Sequence, residues 1–180
     1  MLAHMTSKFH QGLQEQVRNE FTASQQYVAL AVWFDGEDLP QLAKHFYRQA
    51  LEERNHAMMI VRYLLDNDVQ PTIPGIGEVR NNFKETAELV ELALNQERRV
   101  TDEVIALAKS ARDEDDYKGE QFMHWFLKEQ VEEVAQMTTL LNVVKRANGN
   151  LFDVENFLAR ESVGDSGTDS LAPRAAGGGL

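Results

Sequence analysis

Core-type positions recur along the first part of this chain at alternating intervals of four and three residues. Phe9, Leu13, Gln16, Glu20, Ala23, Tyr27, Leu30 and Phe34 form one stripe, the spacing of the inward face of a bundle helix. Asp35–Gly36–Glu37–Asp38 interrupts it, and Pro40 suits the first turn of a second helix. The second stripe is Leu39, Leu42, Phe46, Gln49, Glu53, His56, Ile60 and Tyr63. A short break between two long helices makes them antiparallel neighbours.

Residues 67–84 lose the pattern and contain Pro71, Pro74, Gly75 and Gly77. Such a stretch is long for a connection inside one domain. About 18 extended residues reach roughly 60 Å, more than the roughly 39 Å of a 26-residue helix. The segment can therefore run the length of the bundle and start a third helix parallel to the second. That stripe is Val90, Ala93, Glu97, Val100, Val104, Leu107 and Ala111. After an acidic turn at 113–116 the fourth is Met123, Phe126, Gln130, Glu133, Met137, Leu140 and Val144. Ala147–Asn148–Gly149–Asn150 is a helix stop, and LFDVENFLARE, 151–161, predicts a short fifth helix. Residues 8–161 thus read as one all-α four-helix bundle with a long crossover between the second and third helices. Residues 162–180, rich in Gly, Ser and Ala, read as a disordered tail.

Every stripe turns polar near its middle: Gln16 and Glu20; Gln49, Glu53 and His56; Glu97; Gln130 and Glu133. An ordinary bundle places Leu, Ile or Val there. Buried carboxylates without partners cost several kcal/mol each, and no Lys or Arg falls on any stripe to neutralise them. Bound cations resolve the conflict. Carboxylates, one imidazole and an amide suit divalent first-row metals, and Glu53-x-x-His56 sets two ligands one turn apart on one face.

Composition narrows the classes further. The net charge of −11 argues against nucleic acid and favours attraction of cations. No cysteine is present, which removes disulfides and thiolate metal sites. No apolar run approaches the roughly 20 residues of a membrane span. The N-terminus lacks a basic and apolar leader, so the expected location is cytoplasmic, away from membranes.

The segments NEFTASQQYVA, QALEERNHAMM, NQER and FLKEQVEEVA, in this order and spacing, resemble the ferroxidase helices of bacterial non-haem ferritins. The resemblance covers about residues 8–160. It implies a di-iron ferroxidase centre of Glu20, Glu53, His56, Glu97 and Gln130, with Tyr27 as the family's site tyrosine. Glu52, Glu129 and Glu133 resemble carboxylates that hold a third, transit iron in some bacterial members. The resemblance also implies an iron-storage protein that oxidises Fe(II) with O₂ or peroxide in a hollow 24-subunit shell, with Glu120 a candidate channel carboxylate. Bacterioferritins keep a histidine on the fourth helix and a haem-ligating Met just after the second-helix Glu. Here those positions read Gln130-x-x-Glu133 and Arg54, so no haem is expected, and Met58 and Met59 read as core filler. His45, His124, Trp33 and Trp125 read as packing or surface residues.

Four rivals use similar parts. A di-metal catalase resembles a more complete two-histidine pattern, and a rubrerythrin needs four cysteines. A DNA-protecting shell needs interfacial ligands and basic tails, and a metal-free bundle would use the polar band to set register.

Overall fold

The computed structural model describes residues 7–161 and 169–179. Its helices are α1 (Lys8–Gly36), α2 (Pro40–Asp66), α3 (Thr86–Asp113), α4 (Tyr117–Ala147) and α5 (Leu151–Arg160), and no strand occurs among the described residues. The stripes read from the sequence face inward, and only Tyr63 among them stays half-buried.

Helix ends are specified locally. After α1, α2 and α3 an aspartate takes a left-handed conformation: Asp38 (φ 58), Asp68 (φ 58) and Asp115 (φ 57). The next N–H then returns to a carbonyl five residues back, Leu39 to Phe34 (3.0 Å), Val69 to Leu64 (2.9 Å) and Asp116 to Ala111 (2.9 Å). That bond satisfies carbonyls the helix end leaves free, and aspartate tolerates the conformation better than most residues. Ser7 Oγ caps α1 by accepting from His10 N–H at 2.9 Å.

Two caps come from distant elements. Glu114 Oε1 accepts from Lys8 N–H at 2.7 Å, so the start of α1 lies beside the end of α3 and the two run antiparallel. Glu155 of α5 accepts from Gln41 and Leu42 N–H, both at 2.9 Å. Its negative charge sits on the N-terminus of α2, where the helix dipole favours it.

The crossover, residues 67–85, is tied along α1. Gln14 Oε1 accepts from Thr72 N–H at 2.8 Å, Thr22 Oγ1 from Gly77 N–H at 2.9 Å, and Gln26 Oε1 from Arg80 N–H at 2.8 Å. The order 14, 22, 26 against 72, 77, 80 shows the loop climbing α1 from start to end. It therefore delivers α3 parallel to α2, as the crossover length implied.

Apolar side chains from all four long helices form two separate clusters. One contains Tyr27, Phe34, Phe46, Leu89 and Met137 and is closed by Val154 and Leu158 of α5. The other contains Phe9, Leu13, Ile60, Val104 and Phe126. Between them lies the polar band.

The tail differs from expectation. Residues 162–168 and 180 lie outside the described residues, but 169–179 rest on the bundle instead of standing free. Asp169 Oδ2 accepts from Trp125 Nε1–H at 2.9 Å, and Ala176 N–H donates to Met58 O at 3.0 Å. Small residues let the segment lie close to α2, which composition alone reads as looseness.

Candidate metal centre

The polar band is buried almost completely. Glu20 and Glu97 are 0% exposed, Glu53 1%, Gln130 2%, Glu133 3% and His56 4%. Each sits where its apolar stripe aims it, so the helix register that builds the two cores also drives these groups inward. One ligand atom from each of Glu20, Glu53 and His56 lies within 4.8 Å of the others. His56 Nδ1 is 3.4 Å from Glu53 Oε2, and Gln16 Nε2 donates to Glu20 Oε1 at 2.9 Å.

Glu97 stands across from this triad. The Tyr27 hydroxyl donates to Glu97 Oε1, and Gln130 bonds the same carboxyl. The amide of Gln130 is itself oriented by Thr101, whose hydroxyl donates to Gln130 Oε1 at 2.9 Å. Glu133 is bonded by Gln49, which also donates to Glu52. Glu52 and Glu129 line a cavity of about 640 Å³ beside the band, together with His56, Trp125 and the tail. The structure thus gathers Glu20, Glu53 and His56 in one triangle, brings Tyr27 and Gln130 onto Glu97, sets Glu52 and Glu129 on the cavity beside the band, and keeps Glu133 buried between them and Glu97.

The electrostatics follow from burial. Loss of hydration pushes the carboxyls of Glu20, Glu53 and Glu133 well above the usual range, with neighbouring carboxylates adding to the effect. Burial raises Glu97 to about 7, against the opposing pull of the Tyr27 hydroxyl. Burial likewise lifts the Tyr27 phenol, helped by the charges of Glu97, Glu53 and Glu133. The groups that favour the ionised carboxylates are Tyr27, His56, other carboxyls and side-chain amides, and no Lys or Arg is among them.

Unused lone pairs mark what is missing. Glu20 Oε2, Glu53 Oε2, Glu97 Oε2, Glu133 Oε2 and His56 Nδ1 are buried with no hydrogen-bond partner among the described residues. Native interiors rarely leave such atoms unpaired, and a divalent cation would satisfy several at once. Oxygen-rich donors with one imidazole fit such an ion.

Other expectations resolve as follows. His45 is buried and packs edge-on to Phe46 at 5.0 Å. Glu120 pairs with Arg112. Arg54 keeps Nη1 buried on α2 without a hydrogen-bond partner among the described residues. Sequence reasoning missed Thr101 and the Asp169–Trp125 bond. Thr101 is a helical turn after Glu97, a spacing that could have flagged it.

A family model for the ferritin-like domain matches residues 10–147. Over 176 residues the chain is 63% identical to ferritin BfrB of Mycolicibacterium smegmatis, spanning 98% of this chain and 97% of that protein. It is 33% identical over 136 residues to the bacterial non-heme ferritin of Staphylococcus aureus, spanning 76% and 82%. Among solved structures, an open-pore ferritin from Archaeoglobus fulgidus superposes with a TM-score of 0.83 at 21% identity, covering 87% of this chain and 98% of that one.

Proposed function

The chain belongs to the ferritin-like family, and from that premise we propose that it is an iron-storage subunit whose central polar band oxidises Fe(II). Iron is the substrate and the cargo. Glu20, Glu53 and His56 would take the first Fe(II), Glu53 would bridge, and Glu97 with neutral Gln130 would hold the second more loosely. Two Fe(II), O₂ and two protons give two Fe(III) and H₂O₂, so both oxidising equivalents come from one O₂. Tyr27 and Thr101 orient Glu97 and Gln130. Glu52, Glu129 and Glu133 would pass a third iron outward, toward a mineral in the cavity of a homo-oligomeric shell of 24 subunits. Such a protein would work in the cytoplasm, with peroxide as an alternative oxidant. Arg54 offers no thioether at the position where bacterioferritins carry a haem ligand, so haem has no part in this reading.

One observation carries it: the unpartnered carboxylate oxygens and imidazole nitrogen in one buried layer. A metal-free bundle would gain stability by replacing them with leucine. The test compares wild type with Glu53→Gln and His56→Ala by stopped-flow Fe(II) oxidation, with light scattering to give assembly size. Fast oxidation should vanish in both variants while assembly persists. Oxidation at wild-type rate in either variant would reject the site.

A further inference from the structure

Thr101 stands one helical turn after Glu97 on α3, and its hydroxyl has two acceptors within reach. One is the Glu97 backbone carbonyl at 2.8 Å, and the other is Gln130 Oε1 of α4 at 2.9 Å. A hydroxyl carries a single proton and two lone pairs, so it donates fully to one of these atoms at a time. When the proton goes to the Glu97 carbonyl, the hydroxyl oxygen turns a lone pair toward the Gln130 amide and accepts there instead.

The end of the amide that meets Thr101 decides what Gln130 offers the polar band. With Oε1 on Thr101, the amide nitrogen faces the Glu97 carboxyl and bonds it. That orientation suits an ionised carboxylate and repels a cation. A half-turn about the last side-chain bond exchanges the two ends of the amide in nearly the same space. Nε2 then donates to Thr101 Oγ1, and Oε1 points into the band as a neutral ligand. Two hydrogen bonds are made in each arrangement. Gln130 is 2% exposed, so bulk water does not serve the end that turns away. A valine at 101 would fill the same volume and leave that end unpaired, which is costly for a buried polar group.

We propose that Thr101 is a positioning residue that lets Gln130 exchange its N–H end for its carbonyl end at the site. Its hydroxyl switches from donor to acceptor on the amide as its proton moves to the Glu97 carbonyl. The proposal rests on the iron-binding reading above and deepens it. The ion held by Glu97 and Gln130 is taken up and let go by the turning of one neutral amide. No helix moves and no charge is gained or lost by the protein in that step. Thr101 thereby sets how tightly the second ion is held and leaves the ion at Glu20, Glu53 and His56 untouched.

Zinc(II), which has no redox chemistry, serves as the probe in calorimetric titration of the assembled protein. The ions that wild type binds and Glu53→Gln does not define the site. Wild type and Thr101→Ser are expected to bind both ions alike. In Thr101→Val the tighter ion should keep its affinity, while the weaker should lose about tenfold or more. In a Gln130→Ala background the same valine should add less than about twofold, because the amide it serves is gone. Four results would overturn the proposal and leave the site reading intact: no loss in Thr101→Val, equal weakening of both ions, a serine variant as weak as the valine one, or a tenfold loss that persists with Gln130→Ala. Wild type and Glu53→Gln binding the same number of ions would overturn both.

Discussion

Replacing Glu97 with glutamine isolates the cost of the polar band in the metal-free protein. The carboxyl is 0% exposed and is raised from 4.5 to about 7 by burial. Below 4.5 both folded and unfolded states carry the proton, and the shift contributes nothing. As pH rises the unfolded chain ionises first, so the folded state loses stability until pH passes 7. The loss is roughly 1 kcal/mol at pH 5 and roughly 3 kcal/mol at pH 8. Glutamine stays neutral, and its oxygen can still accept from Tyr27. Glu97→Gln in EDTA is therefore expected to be more stable than wild type, by about 3 kcal/mol at pH 8 and about 1 kcal/mol at pH 5. Relief of repulsion on Glu53 and Glu133, which both feel Glu97, adds to the gain. Guanidinium unfolding followed by far-ultraviolet circular dichroism measures it. If Glu97 is a ligand as proposed, a saturating divalent cation should reverse the order, because only wild type keeps the full proposed ligand set. A gain equal at both pH values, or one that shrinks at pH 8, would refute the reasoning.

Three other substitutions probe the scaffold. Tyr63→Phe removes a buried hydroxyl that has no partner and should raise stability by about 1 kcal/mol in the same unfolding assay. Gly119→Ala drives a Cβ into the buried Phe9 ring, so the ring or its helix must give way, and thermal unfolding should show a loss of about 1–3 kcal/mol. Glu155→Ala frees the N–H groups of Gln41 and Leu42. The start of α2 should then exchange its amide hydrogens faster, with a stability loss of about 1–2 kcal/mol.

The inward positions could be read from the chain because helical periodicity and burial are the same geometric fact. Glu20, Glu53, His56, Glu97, Gln130 and Glu133 fall on their stripes, and the register that buries Leu13 or Val104 buries them too. The crossover was legible through its length, since only a span along the bundle needs so many residues. Less could be read where partners come from another element. Asp169 reaches Trp125 from the tail, a pairing that no local spacing encodes, whereas Thr101 stands one turn after Glu97 but finds Gln130 on another helix. His45 is buried off its stripe, edge-on to the Phe46 ring beside it. Residues 169–179 lie against the bundle because small residues signal freedom when no surface awaits them and close approach when one does.

The separation of the apolar interior into two pockets of side chains has a consequence for turnover. Each pocket draws on all four long helices, so the helices are clamped above and below the polar band by apolar packing alone. In small zinc domains, by contrast, losing the metal means losing the fold. Under the iron-handling reading proposed above, a scaffold fastened at both ends discharges what its waist has processed and accepts the next load, with its shape unchanged between deliveries.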